Sequence, residues 1–187
     1  LDGLRSAITS RTLLVSVMTA NNEIGVIQDI PAIGALCKER GAIFHTDAAQ
    51  AAGKAPIDVR AMDIHLLSMS AHKLYGPKGV GALYVRKRAP RVKLQALIDG
   101  GGHEGGLRSG TLNVPGIVGF GAACEITLRE MKDEAARMAK LRDRLWSGLQ
   151  KRLDLVSLNG HLEKRLPGNL NVSFKYVESE SLMVALA

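Results

Sequence analysis

The chain has 187 residues, of which 46% are hydrophobic and 23% charged, with a formal charge of +7. That balance excludes wholesale disorder, no apolar run approaches the roughly 18 residues of a bilayer span, and no signal peptide pattern is visible. The charge does not point to nucleic acid: only 4% of residues are aromatic, which leaves few stacking platforms, and no nucleic-acid motif is present. The densest basic cluster, Arg86, Lys87, Arg88, Arg91 and Lys93, reads as a solvated face better suited to an acidic protein partner. Cys37 and Cys124 show neither metal-ligand spacing nor a pairing pattern, so a reducing compartment is the simpler expectation. Both ends read as cut, because Leu1 is no initiator methionine and residues 178–187 start a helix without a stop signal. The expectation is an internal segment of a longer protein.

In chain order, Leu13 to Met18 reads as a strand ending in Thr19-Ala20-Asn21-Asn22. Asn22 at a strand end is either part of an Asn-Asn turn or an amide that donates to a ligand oxygen. Asp29-Ile30-Pro31 opens a helix with a cap and a first-turn proline, and Gly41 closes it. Ile33, Leu36 and Cys37 share one face of that helix, which makes Cys37 a core residue. A second apolar run then ends in His45-Thr46-Asp47-Ala48-Ala49-Gln50. Strand, helix, strand in this order is a parallel crossover, right-handed by the general rule.

After the small-residue turn Ala51–Lys54 and a connection through Pro56–Ala61, a third run, Ile64 to Met69, leads into Ser70-Ala71-His72-Lys73-Leu74-Tyr75-Gly76-Pro77. Lys73 thus stands just past a strand end, beside the strand that ends in Asp47. Open, mainly parallel sheets gather ligands at the carboxyl ends of their strands. A lysine able to form a Schiff base and an acid able to keep a ring nitrogen protonated are what a pyridine-aldehyde cofactor requires. Pyridoxal phosphate is therefore the hypothesis, against a surface lysine beside a hairpin. The glycines of Gly76-Pro77-Lys78-Gly79-Val80-Gly81 lack the Gly-Lys-Ser/Thr ending of a nucleotide loop.

Beyond the strand Val80–Val85, the run Gly100-Gly101-Gly102-His103-Glu104-Gly105-Gly106 is expected to be a loop, and without a His-Glu-x-x-His pattern it suggests no metal. Val114 to about Leu153 reads as a long amphipathic helix, with Met131, Ala135, Met138, Leu141, Leu145 and Leu149 spaced by threes and fours. Its glycine- and alanine-rich start should pack on the sheet, with Cys124 in the core. Val156–Gly160 and Asn169–Tyr176 read as strands of a smaller unit. His45, His65 and His161 have no assigned role.

Asn21-Asn22-Glu23-Ile24-Gly25, His45-Thr46-Asp47-Ala48-Ala49-Gln50, Ser70-Ala71-His72-Lys73 and Arg108-Ser109-Gly110-Thr111 occur in an order and spacing that resembles the cysteine desulfurases. These are fold-type I pyridoxal phosphate enzymes of the class V aminotransferase group, and the chain most resembles the branch that supplies sulfur for iron-sulfur clusters. The resemblance implies an α/β fold with a mainly parallel sheet flanked by helices. It places residues 1–130 in the large cofactor-binding domain and 131–187 at the start of a small α+β domain. It makes Lys73 the catalytic residue that carries the cofactor, with Asn22 near the phenolic oxygen, Asp47 at the ring nitrogen, and Gln50, Ser70, Ala71 and His72 around ring and phosphate. Thr111 would reach the cofactor phosphate of a second copy, which implies a homodimer. Where Ala71 stands the family commonly has glycine, so a positive φ there would be strained.

The implied reaction removes sulfur from L-cysteine. Lys73 moves the α proton, and a mobile-loop cysteine takes the sulfur, leaving alanine and an enzyme persulfide for an iron-sulfur scaffold or other sulfur-acceptor protein. That cysteine is not in this sequence, so the segment alone is expected to lack turnover. A selenocysteine lyase or another class V enzyme is the alternative within the cofactor class, and a non-catalytic scaffold binding sulfur-acceptor proteins is the alternative outside it. The expected setting is cytoplasmic, or an organelle such as the mitochondrial matrix, with no membrane and no nucleic acid.

Overall fold

The computed structural model describes residues 1–187. After a short helix α1 (Asp2–Ala7), a four-stranded sheet is built from β1 (Leu14–Met18), β2 (Ile43–Asp47), β3 (Leu66–Ser70) and β4 (Gly81–Val85) in spatial order 1-2-3-4. β1, β2 and β3 run parallel and β4 returns antiparallel to β3. The crossover from β1 to β2 is α2 (Ile30–Arg40), bounded as its sequence dictates. The Asp29 carboxylate accepts from the Ala32 amide, Pro31 occupies the first turn, and Gly41 closes the helix at φ 69, a conformation that costs glycine nothing.

The apolar face of α2, with Ile33, Leu36 and Cys37, covers one face of the sheet, where Val15, Phe44 and Leu67 are buried. Phe44 is fully buried and its burial contributes about 2–3 kcal/mol. Register carries the chemistry: Met18 pairs with Asp47, and Asp47 with Ser68. The three parallel strands therefore end side by side. Between their ends the buried hydroxyls of Thr19 and Thr46 lie 2.7 Å apart, and Thr46 also donates to the Val17 carbonyl, so these polar groups are satisfied inside the sheet.

One helix, α3 (Val114–Gln150), runs unbroken for 37 residues, about 55 Å at the usual rise. Asn113 caps it by accepting from the Gly116 amide. Only its first turns are buried, through Gly116, Phe120 and Ala123, whereas Val118 and Leu128 stay exposed. The two-stranded antiparallel sheet β5 (Val156–Leu158) and β6 (Val172–Phe174) follows, then α4 (Ser179–Leu186). The strand expected over Asn169–Tyr176 is shorter than its pattern suggested. The side chains of Asn169 and Asn171 are spent on the loop after β1, and Tyr176 at φ 62 turns the chain away. The expected division near residue 130 falls inside continuous helix. No helix is long and apolar enough to cross a membrane.

Candidate active site

The lysine motif is set by a short 3-10 turn, Ala71–Leu74, that follows β3 directly. In such a turn residues three apart lie on the same side. Ala71 and Leu74 accordingly point inward and are buried against Phe120 of α3, while His72 is exposed and Lys73 half-buried. The start of α3 is thus the floor on which Lys73 stands. Ala71 does not adopt a positive φ, so the geometry in which alanine would be strained does not arise.

Around this turn the structure gathers most of the residues singled out in the sequence. Asp47 ends β2, with its Oδ1 accepting from the Ala49 amide at 2.8 Å and its other oxygen unengaged. Asn22 follows β1, Gln50 follows β2, and Ser70 is the last residue of β3. The side chains of Asn22, Gln50, Ser70, His72 and Lys73 form no hydrogen bond within the chain. Asn21, one residue earlier, instead accepts from the amides of both Glu23 and Ile24 at 2.9 Å. Two members of the expected set stand apart from the others. Ala71 has nothing to offer a ligand, because its methyl group is fully buried and its amide already donates to the Val80 carbonyl at 3.1 Å; it is a packing residue beneath Lys73. Thr111 is exposed on the segment leading into α3, and no hydrogen bond joins it to the strand ends.

A cavity of about 790 Å³ opens beside the strand ends, beneath α3, and shares only Asn22 and Gln50 with the cluster. Its lining includes Lys54, Glu130 and Glu134, none of which the sequence singled out as functional. Burial first, and then the nearby charge of Lys73, hold the Lys54 ammonium below the usual lysine range. Lys54 lies in a small-residue turn whose sequence carries no sign of this. Burial pushes the Cys37 and Cys124 thiols up from the ordinary value, whereas a reactive thiol needs an exposed electropositive setting.

These features define an α/β protein whose candidate ligand site lies at the carboxyl ends of parallel strands, furnished with one carboxylate, one amine and several neutral donors. The model of the family described as aminotransferase class-V matches residues 1–187, and the chain belongs to that family. It is 59% identical over 183 residues to the cysteine desulfurase IscS of Anaeromyxobacter sp. (strain K), covering 98% of this chain and 45% of that protein. The cysteine desulfurase IscS of Neisseria meningitidis (strain Z2491) is 58% identical over 186 residues, covering all of this chain and 46% of that protein. Among solved structures, a NifS-like protein superposes with a TM-score of 0.92 at 42% identity, over 99% of this chain and 50% of that one. The fold is that of the fold-type I enzymes, as the motifs implied. The chain spans less than half the length of these curated relatives.

Enzymes of this family depend on pyridoxal 5′-phosphate, and the donor set fits it. A phosphate needs neutral or cationic donors, which Ser70 and His72 supply, a ring nitrogen needs an acid, and an aldehyde needs an amine. The side chains of Ser70, His72 and Lys73 have no partner within the chain, and Asp47 keeps one oxygen free.

Proposed function

We propose that the full-length protein is a pyridoxal phosphate-dependent cysteine desulfurase, releasing alanine from L-cysteine and passing the sulfur on for iron-sulfur cluster assembly and other sulfur transfer. The observation that supports it most directly is the side-chain set Asn22, Asp47, Gln50, Ser70, His72 and Lys73 at three adjacent strand ends, in which a single Asp47 oxygen is the one atom hydrogen-bonded within the chain, in a chain nearly 60% identical to IscS proteins. The cofactor, when bound, supplies the electron sink. Asp47 holds a proton at its ring nitrogen, and the Asn22 amide donates to its phenolic oxygen. Gln50 borders the ring, and Ser70 Oγ and His72 bind the phosphate. Lys73 Nζ anchors the aldehyde carbon and moves the α proton of the amino acid. Ala71 is left out of this set.

The carbon–sulfur bond of cysteine breaks as a thiolate attacks the sulfur, giving a persulfide, while the carbon keeps the electron pair and takes a proton. Neither Cys37 nor Cys124 serves as that thiolate, so this segment by itself has no turnover. A homodimer in which Thr111 serves the second copy's phosphate is part of the reading, and the exposed Val118 and Leu128 on α3 favour burial against further protein. So are a division near residue 130 into a large and a small domain, a cytoplasmic setting, and docking of an acidic acceptor protein on the basic cluster Arg86–Lys93.

The test uses the full-length protein. Its visible absorption is recorded, it is reduced with borohydride, and the modified lysine is mapped by peptide mass spectrometry. A yellow protein labelled at Lys73 is expected, with alanine released from cysteine; a parallel assay with selenocysteine sets the substrate choice. A colourless protein with no adduct after cofactor is added would overturn the enzyme reading in favour of a scaffold.

A further inference from the structure

We infer that Arg165 is a positioning residue for Asn22. Its buried guanidinium, helped by Asn169, fixes the Asn21–Gly25 loop at the end of β1, and with it the amide proposed to serve the cofactor. The inference rests on the assignment of Asn22 made above.

Arg165 is 4% exposed. Its Nη2 donates to the carbonyl of Ile24 at 2.6 Å, to that of Asn159 at 2.9 Å and to Asn169 Oδ1 at 3.2 Å. Its Nε and Nη1 find no acceptor, and no carboxylate pairs with it. Burial, and then the charge of Arg142, hold it below the usual arginine range. A buried, unpaired guanidinium is an expensive way to fill space, and an apolar side chain of similar volume would stabilise the fold more. What Arg165 does that an apolar residue does not is hold a carbonyl of a loop 141 positions away in sequence.

It does not hold that loop alone. Val26 and Arg165 form an antiparallel bridge, flanked by bonds from the Ile27 amide to the Lys164 carbonyl and from the Leu166 amide to the Gly25 carbonyl, both 2.9 Å. Asn169 and Asn171 donate to the Glu23 carbonyl at 2.9 and 3.2 Å. Gly25, at φ 71, sits so close to Asn169 that a Cβ there would overlap its side chain. Consecutive carbonyls of Glu23, Ile24 and Gly25 are therefore gripped from one side, while Asn21 grips the amides of Glu23 and Ile24 from the other. Asn22 lies in the middle of this grip with its own amide free.

The consequence is readable without turnover. A donor on the phenolic oxygen favours its deprotonated form, so losing that donor raises the pH at which the bound chromophore takes up a proton. The experiment is a pH titration of the visible band of the full-length holoprotein. Asn22→Ala is expected to raise the midpoint by about one unit. Arg165→Met should raise it in the same direction by at least about 0.3 units, and the double variant no further than Asn22→Ala alone. A core variant with a similar loss of melting temperature, Leu36→Ala, should leave the midpoint unmoved, which separates positioning from general loosening. If Arg165→Met does not fold, Asn169→Ala carries the same reading with a smaller shift. An unmoved midpoint in Arg165→Met and Asn169→Ala, with Asn22→Ala shifted, overturns the inference and leaves the assignment of Asn22 intact. An unmoved midpoint in Asn22→Ala overturns that assignment, and this inference with it.

Discussion

The two sheets of the chain are secured by different physics. The four-stranded sheet rests on a contiguous core of eleven buried residues, and the candidate site is carried on its strand ends. The β5–β6 sheet contributes no fully buried strand residue: Val156, Leu158, Val172 and Phe174 are all half-buried. In the segment around it, the buried side chains are Arg165 and Leu166. The first sheet is held by apolar burial, which is tolerant of small shifts. The second is tied to the first by directed hydrogen bonds onto the loop after β1, which specify geometry more than they supply free energy. The lesson is that a weakly packed unit can still fix the course of a loop beside the candidate site.

The largest expected effect separates chemistry from packing. Lys73→Ala in the full-length protein should lower alanine release by at least about a thousandfold, while the melting temperature barely changes, because the side chain is half-buried and bonds to nothing in the chain. Retained turnover would remove Lys73 from the mechanism.

Next comes a direct contrast of the two sheets. Phe44→Ala should cost about 3–5 kcal/mol in denaturant unfolding and Phe174→Ala only about 1 kcal/mol. Equal losses would erase the distinction drawn here.

A smaller effect depends on pH and belongs to the first sheet alone. Buried His65 bonds back to Phe44 twice, its Nδ1 accepting from the Phe44 amide at 3.1 Å and its own amide donating to the Phe44 carbonyl at 2.9 Å. Burial, followed by the charge of Arg86, holds the ring below the usual histidine value, against a weaker opposite pull from Asp63. The folded state thus favours the neutral ring. Its contribution is complete above the unfolded value of about 6.5 and is lost as pH falls through that value toward the lower folded one. Melting temperatures measured between pH 7.5 and 5 should decline, and His65→Gln should flatten the decline; an unchanged slope would mean that other groups carry it.

The smallest effect is at the surface. Arg5 and Glu39 pair at 2.8 Å with both side chains about half exposed, so Glu39→Gln should cost about 0.5 kcal/mol or less, within the error of the same unfolding assay.

Local chemistry was legible wherever a few adjacent residues decide the outcome. Asp29, Pro31 and Gly41 marked both ends of α2, and apolar runs followed by polar residues marked the strand ends that carry Asp47 and Lys73. Ala71 was read from its place in a motif, and the structure shows its amide already committed to Val80, a pairing set by the return of β4. Lys54 and Arg165 were illegible for a related reason. Their environments are created by segments far away in sequence: by Lys73 and α3 for the first, by residues 23–25 for the second. A lone basic side chain in a turn looks the same in sequence whether solvated or enclosed. His65 was likewise unreadable, since its bond to Phe44 exists only once β2 and β3 are in register.

The near-overlap of Gly25 with Asn169 also bears on how relatives of this chain diverge. A side chain at position 25 would need both a smaller residue at position 169 and a loop that no longer holds φ 71, a conformation that favours glycine, so position 25 is fixed twice over. Among descendants of a common ancestor, glycine at position 25 should therefore outlast changes at position 169, and a lineage with another residue at 25 should be one in which the loop itself has been rebuilt.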